Sequence, residues 1–261
     1  MKIIEAIILG FVQGLTEFLP ISSSGHLVLV EHIFSINEGN LFFNVLLHLA
    51  SLLAIILLMR KQILDLIKRP FSKQLKTIIL SCVITAVTVI LLEKVFDKFA
   101  SATYLGFGFL LSSLLLFATY FYSKRQSAIQ KTEIGYLDSC IIGLCQGVSV
   151  LPGISRSGTT ISAAILLNNK KEKAAEFSFL ISIPTIIGAM IYEIIKDGGE
   201  INTHIPAMCY ILGFFVSFIV AILSIKWMIN IIKNRNWLQF GIYLFVLSIV
   251  VILNQYVLMW F

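Results

Sequence analysis

Gln13 and Glu17 lie four residues apart in a long apolar stretch, a spacing that places both side chains on one face of a helix. An ionised carboxylate within a membrane segment is costly and indicates a functional site. The alternative is a glutamate that only hydrogen-bonds to a neighbouring helix. Glu17 is therefore a candidate for chemistry that needs a negative charge or a base.

A serine-rich turn follows, in which Ser22, Ser23 and Ser24 precede Gly25 and His26. The unperturbed pKa of histidine is near neutrality, so His26 is a candidate general acid or base. The alternative role for His26 is that of an interfacial or helix-capping residue. The serines offer hydroxyl donors and a candidate nucleophile without adding charge.

Arg156 gives the strongest single signal, because it interrupts a second apolar stretch and requires an anionic partner there. Its planar fork of donors suits a phosphate group. We expect a helix to restart after Gly158 and to direct its N-terminal amides towards the same anion. The alternative is an ion pair with Glu17, and both arrangements can occur, in the empty and the occupied protein. The flanking hydroxyl residues are Ser155, Ser157, Thr159 and Thr160.

The composition places these polar groups in a membrane protein. Of the 261 residues 58% are apolar and 13% are charged, against about 25% charged residues in soluble domains. The net charge of +6 indicates basic cytoplasmic loops that attract anionic lipid rather than a nucleic-acid partner. The four cysteines show no metal-ligand spacing.

Six apolar stretches are long enough to cross about 30 Å of hydrocarbon. They cover residues 41–59, 75–92, 104–122, 174–195, 206–225 and 237–257. Two more apolar regions, 3–34 and 136–167, are interrupted by proline, glycine and serine at 19–26 and 151–158. Non-helical backbone at membrane depth requires protein or a wet cavity around it, so both regions are predicted to be re-entrant helix–loop–helix hairpins.

The two interrupted regions repeat each other. Gly10-Phe11-Val12-Gln13-Gly14 corresponds to Gly143-Leu144-Cys145-Gln146-Gly147, and Ser22-Ser23-Ser24-Gly25 to Ser155-Arg156-Ser157-Gly158. The common offset indicates an internal duplication into residues 1–130 and 131–261 within one membrane domain. Three full spans separate the hairpins, so the halves are predicted to be inverted repeats with the site at their junction.

Loop charges give an orientation. Residues 60–76 carry six Lys or Arg residues against one acid, whereas the 196–200 loop is net acidic. The positive-inside rule then places residues 60–76 in the cytoplasm and opens the first hairpin to the outer face.

The two motifs resemble the signatures of a known family. Residues 14–26, Gly-Leu-Thr-Glu-Phe-Leu-Pro-Ile-Ser-Ser-Ser-Gly-His, are similar to its first signature, which contains a (Glu/Gln)-x-x-x-Glu pair. Residues 152–160 are similar to the second, Pro-Gly-x-Ser-Arg-Ser-x-x-Thr. The chain resembles, over essentially its whole length, the bacterial undecaprenyl-diphosphatases of the bacitracin-resistance type.

That resemblance implies an all-α integral membrane enzyme of the bacterial cell membrane that removes one phosphate from undecaprenyl diphosphate. It regenerates the carrier for peptidoglycan synthesis and gives resistance to bacitracin. It also implies a divalent cation, Mg²⁺ or Ca²⁺, with Glu17 and Gln13 matching the metal-binding pair. Gln13 departs from the acidic form of that pair, and a neutral amide is the weaker ligand.

The resemblance further assigns Ser23 and His26 to the nucleophile region and Arg156 with Ser155, Ser157, Gly158 and Thr160 to the phosphate cradle, beside Ser22 and Ser24. Two routes remain open. In one, Ser23 attacks the terminal phosphorus with His26 as base. In the other, a water attacks with His26 or Glu17 as base.

Two rival functions remain open at this stage, as does a chain that combines hydrolysis with return of the lipid carrier. Inverted repeats and broken helices are also typical of transporters, so a lipid-phosphate flippase is one alternative. A membrane phosphatase with a histidine nucleophile is another, but it requires a histidine soon after Ser155-Arg156, and the next is His204. The expected partners are the polyprenyl diphosphate and membrane lipid, with a homodimer left open and no nucleic acid.

His48 and Asn44 share a face of the first full span. We expect them to pack or to hydrogen-bond between helices rather than to act in catalysis. Glu176 is expected near the cytoplasmic end of a span, behind the site.

Overall fold

The computed structural model describes residues 1–34, 36, 41–99, 102–125, 129–196, 205–234 and 237–258; most of the acidic 196–200 loop and His204 lie outside them. Within these ranges the chain is helical and forms no β-strand. The α-helices are α1 (Ile3–Thr16), α2 (Ser23–Ile33), α3 (Leu41–Leu58), α4 (Arg60–Lys68), α5 (Lys73–Phe99), α6 (Leu105–Arg125), α7 (Tyr136–Val148), α8 (Arg156–Leu166), α9 (Lys171–Lys196), α10 (Ala207–Asn234) and α11 (Leu238–Leu253).

Six of these helices are long and apolar enough to cross a membrane: α3, α5, α6, α9, α10 and, with the turn that follows it, α11. They coincide with the six spans predicted from the sequence, and the chain is a multi-pass membrane protein. The largest difference is at α10, which continues past the predicted end at residue 225 to Asn234. Met228, Ile231 and Ile232 remain buried there, so the helix still packs against the protein core.

Each of the two interrupted regions forms a pair of short helices. α1 and α2 have 14 and 11 residues, and α7 and α8 have 13 and 11. At 1.5 Å per residue, each helix is about 17–21 Å long, less than the roughly 30 Å of the hydrocarbon core. The predicted breaks are therefore present, after Thr16 and after Val148.

The helices resume earlier than the sequence suggested, because a serine caps each restart. The Ser22 hydroxyl accepts a hydrogen bond from Gly25 N–H at 3.3 Å, and the Ser155 hydroxyl accepts one from Gly158 N–H at 3.0 Å. A serine whose oxygen binds an amide three residues on is a typical N-cap. α8 thus begins at Arg156, and the expectation of a restart after Gly158 is wrong.

The short helices α1 and α7 each pack closely against a span from the other half of the chain. α1 packs against α10 and α7 packs against α5, while α6 packs against α11. A Cβ atom at Gly10 would lie 2.5 Å from the Gly213 carbonyl, and one at Gly143 would lie 2.5 Å from the Ser81 carbonyl. Both glycines therefore allow backbone-to-backbone contact, which sets the depth of the two breaks relative to the spans.

Candidate active site

The first break and the start of α8 meet through an ion pair. Arg156 Nη2 donates to Glu17 Oε1 at 2.5 Å across 139 residues of sequence. The two side chains are only 15% and 5% exposed. The ion pair considered from the sequence is therefore formed, and it joins the two broken regions. Removing one partner of such a buried pair typically costs about 3–5 kcal/mol.

The second oxygen of Glu17 accepts hydrogen bonds from the first broken region itself. Oε2 accepts from the Ser23 hydroxyl at 2.6 Å and from Gln13 Nε2 at 3.0 Å. Gln13 is fully buried. The Ser23 proton therefore points at a carboxylate, and Glu17 is the group placed to receive it.

His48 of α3 also reaches this cluster. Its Nδ1 lies 2.9 Å from Gln13 Nε2 and 3.7 Å from Glu17 Oε2. The inter-helix hydrogen bond expected of His48 is present, but its partners are the candidate site residues, so His48 belongs to the site. Asn44, one turn earlier, bonds instead to Glu31 at 3.3 Å.

His26 occupies a position separate from the Glu17 cluster. Its Nδ1 lies 2.7 Å from the Ser22 carbonyl and its Nε2 lies 2.7 Å from the Tyr243 hydroxyl. A carbonyl can only accept, so Nδ1 carries the proton. In the neutral ring Nε2 is then the acceptor, and the Tyr243 hydroxyl donates to it. The two rings stack with centroids 5.7 Å apart. Sequence reasoning missed Tyr243, because one tyrosine in an apolar span has no distinctive spacing.

Three of the four hydroxyl residues around Arg156 make internal hydrogen bonds, whereas Thr159 Oγ1 is buried and has no partner among the described residues. Ser157 Oγ donates to the Leu19 carbonyl at 2.9 Å, which ties α8 to the first break. Thr160 Oγ1 donates to the Arg156 carbonyl at 2.9 Å. With Gly158 N–H bonded to Ser155, these groups brace the start of α8 in this arrangement. Their contact with phosphate stays a prediction.

The backbone at both breaks leaves the common conformations. Ser22 has φ 72° and Gly153 has φ 83°. The left-handed region costs a serine more than a glycine, so the conformation of Ser22 is strained. Ser24, two residues after Ser22, is exposed, and its Oγ lies 3.4 Å from Ser22 Oγ.

Two buried polar atoms of the cluster have no hydrogen-bond partner among the described residues: Arg156 Nη1 and Gln13 Oε1. Leaving a buried donor or acceptor unsatisfied is costly, and such atoms in native proteins call for an explanation. One is a cationic donor and the other a neutral acceptor. Together they match an anion and a cation that would bind side by side.

The chemistry of these groups fits a divalent cation only if its ligands are completed from outside the protein. In the described part of the chain no three His, Cys, Asp or Glu residues form a metal cluster. Glu17 and the unpartnered Gln13 Oε1 supply two oxygens, and Mg²⁺ typically binds one or two carboxylates together with substrate phosphates. The residues present fit a cation that is shared with a phosphorylated ligand.

The fold and the site together define a multi-pass helical membrane protein with a buried polar site between two broken helices. A family model described as "Bacitracin resistance protein BacA" matches residues 6–250. The chain belongs to that family.

Similar proteins of known name support this placement. The chain is 37% identical to an undecaprenyl-diphosphatase of Carboxydothermus hydrogenoformans, over 98% of both chains. It is 37% identical to one of Bacteroides thetaiotaomicron, over 98% of this chain and 100% of that one. It is 39% identical to one of Treponema denticola, over 95% of this chain and 96% of that one.

Proposed function

We propose that this chain hydrolyses undecaprenyl diphosphate to undecaprenyl phosphate and inorganic phosphate. The relatives that are 37–39% identical to this chain over nearly its whole length are named undecaprenyl-diphosphatases. The observation that carries the proposal is the unpartnered Nη1 of Arg156, buried beside Glu17 where the two broken regions meet. In a bacterial membrane this reaction recycles the lipid carrier for peptidoglycan synthesis and gives resistance to bacitracin.

Arg156 is proposed to bind the terminal phosphate. Its Nη2 is held by Glu17, which fixes the plane of the guanidinium and leaves Nη1 as the free donor. A fixed, desolvated cation stabilises negative charge on the phosphoryl oxygens without reorganising during the reaction. Phosphoryl transfer depends mostly on such positioning and electrostatics.

Ser23 is proposed as the nucleophile. Its oxygen forms a bond to the terminal phosphorus, the bond from that phosphorus to the bridging oxygen breaks, and undecaprenyl phosphate leaves with the bonding electrons. The Ser23 proton passes to Glu17 Oε2, with which it already shares a 2.6 Å hydrogen bond. Water then cleaves the phosphoserine and releases phosphate. The other route, attack by a water on the substrate, uses Glu17 as base and leaves Ser23 unmodified.

His26 is less well placed to deprotonate Ser23 than the sequence suggested. Its Nε2 is engaged by the Tyr243 hydroxyl, so the imidazole acts as a base only after that hydrogen bond breaks. We propose that His26 serves the water-dependent step, in which a base is needed after Ser23 has reacted.

A divalent cation, Mg²⁺ or Ca²⁺, is proposed to bind at Glu17 and Gln13 together with the diphosphate. When bound, it neutralises phosphate charge. Gln13 orients its amide towards Glu17 and His48 and keeps Oε1 free for this purpose.

The architecture is proposed to be an inverted repeat of residues 1–130 and 131–261, each beginning with a re-entrant hairpin. In support, each hairpin helix is shorter than a span, and the α1–α10 contact has its counterpart in the α7–α5 contact. The basic 60–76 segment supports a cytoplasmic position for that loop and a site that opens to the outer face. Labelling of single cysteines from either side of sealed vesicles tests this orientation.

Phosphate release from a polyprenyl diphosphate by the purified protein tests the activity. Wild-type protein is expected to release phosphate until a chelator is added. Arg156→Ala is expected to abolish release, while Arg125→Ala, at an exposed arginine at the end of α6, leaves it unchanged. Well-folded protein that binds the lipid diphosphate without cleaving it would contradict the proposal and favour a carrier.

A further inference from the structure

An apolar cavity of about 660 Å³ lies away from the polar site, between α3, α4, α5 and α9. Its lining is apolar and includes Ile63 and Leu66 of α4, Ile78 and Cys82 of α5, and Pro184 of α9. A cavity without polar partners does not hold ordered water. In a membrane, an apolar cavity that is open to its surroundings can accept a hydrocarbon chain.

The segment 60–76, which contributes Ile63, Leu66, Ile67, Pro70 and Leu75 to the lining of this cavity, is basic. Arg60, Lys61, Lys68, Arg69, Lys73 and Lys76 are all exposed, and Asp65 is the only acidic residue among positions 60–76. Of the six, only Lys73 forms an ion pair within the described residues, with Glu133 at 3.2 Å. Among the described residues, the other five cations of the segment therefore have no carboxylate partner.

The helix α4 has the features of a helix that lies in a membrane interface. It has nine residues, none of them buried. Leu64, Ile67 and the following Phe71 are 51%, 68% and 84% exposed, next to the cations. A short helix with apolar and basic faces lies at the head-group boundary and attracts anionic lipid.

We propose that the cavity and the basic segment together form a binding site for an anionic phospholipid of the surrounding bilayer. One acyl chain occupies the cavity between α4, α5 and α9, and the phosphate group contacts the cations around Lys68 and Arg69. A zwitterionic lipid fits the cavity but lacks the net charge that the segment selects. The site is separate from Arg156 and does not depend on the proposed hydrolysis.

Cys82 allows a direct test, because it lines the cavity and is partly exposed. Two variants in detergent are compared, one retaining only Cys82 and one retaining only Cys145 of α7. Each is labelled with an apolar maleimide in the presence of phosphatidylglycerol or phosphatidylcholine. Phosphatidylglycerol is expected to slow labelling of Cys82 about tenfold more than phosphatidylcholine does. At Cys145 the two lipids are expected to have the same effect on labelling.

Charge removal then locates the head group. K68Q/R69Q is expected to lose the preference for phosphatidylglycerol, whereas K124Q/R125Q, at another basic loop, keeps it. Equal protection by both lipids, or protection by neither, would overturn the proposal. Native mass spectrometry of the unmodified chain, comparing retention of the two lipids, gives the same decision if the cysteine variants fold poorly.

Discussion

The break after α1 and the break after α7 share the same construction but carry different side chains. Both helices after the breaks begin with a serine that caps a glycine amide, and in both the two flanking serine hydroxyls lie 3.4 Å apart. The residues proposed to react are among the positions that differ. With the offset of the repeat, Glu17 corresponds to Val150, Ser23 to Arg156 and His26 to Thr159.

The two glutamines at equivalent positions, Gln13 and Gln146, also differ in the polarity of their partners. Gln146 Nε2 donates to the hydroxyls of Thr85 and Thr185, at 3.0 and 2.9 Å, and so lies in a neutral network. Gln13 Nε2 faces Glu17 and His48. In the proposed duplication, residues 1–130 supply the carboxylate and the serine hydroxyl and residues 131–261 supply the cation, so the proposed site requires both halves.

Glu17→Val, which makes the first break resemble the second, is expected to have the largest effect. It removes the proposed proton acceptor and leaves the buried Arg156 without its partner. We expect turnover to fall at least about 10³-fold and stability to fall by about 3–5 kcal/mol, measured by phosphate release and by thermal unfolding. The control variant Val150→Phe, at the equivalent and exposed position of the second break, should retain most activity; equal losses of activity in both variants would contradict the role proposed for Glu17.

Ser23→Ala separates the nucleophile from the serines that only shape the breaks. If Ser23 attacks phosphorus, turnover should fall about 10³-fold, whereas Ser24→Ala, at the exposed neighbour, should change it little. Mass spectrometry of acid-quenched wild-type protein should detect a phosphorylated Ser23. Near-native turnover of Ser23→Ala would exclude the covalent route.

Tyr243→Phe tests whether Tyr243 fixes the orientation of the His26 ring. The second break has Thr159 at the equivalent position and therefore no imidazole to orient. The ring stack is retained, but the hydroxyl that donates to Nε2 is lost. We expect turnover to fall about tenfold and the ¹⁵N resonances of His26 to move as Nε2 loses its donor. Tyr122→Phe, at an exposed position on α6, serves as the control. Unchanged His26 resonances would contradict the assigned hydrogen bond.

Gln13→Glu tests whether Gln13, unlike Gln146, binds the metal, and it has the smallest expected effect on activity. A second carboxylate strengthens a site for a hard cation, so the Mg²⁺ concentration for half-maximal activity should fall several-fold. Gln146→Glu places a charge in a neutral network, and should lower stability without changing the Mg²⁺ requirement. An identical Mg²⁺ titration for wild type and Gln13→Glu would argue against metal binding at this position.

The sequence predicted the parts of the fold that local chemistry decides. The six spans follow from long apolar runs, and the two breaks from proline and glycine within them. The Glu17–Arg156 pair was foreseen as one of two arrangements, because a buried charge needs a counter-charge. These features depend on residues close in sequence or on one strong electrostatic requirement.

The remaining parts of the site depend on packing between distant helices. His48 reaches Gln13 because α3 lies beside α1, and Tyr243 reaches His26 because α11 faces α2. A lone histidine or tyrosine in an apolar span carries no periodic signal of its partner. The start of α8 was misplaced for a local reason: Ser155 rather than Gly158 decides where the helix begins, because its hydroxyl satisfies the glycine amide.

The contact of α1 with α10 has a consequence for biosynthesis. α1 ends at Thr16, whereas α10 begins at Ala207. At a translation rate of about 5–20 residues per second, the first helix waits roughly 10–40 s for its packing partner. During that interval α1 lacks the span against which it packs, so the nascent chain should depend on the insertion machinery or on neighbouring lipid to cover this face of α1 until the last third of the protein is made.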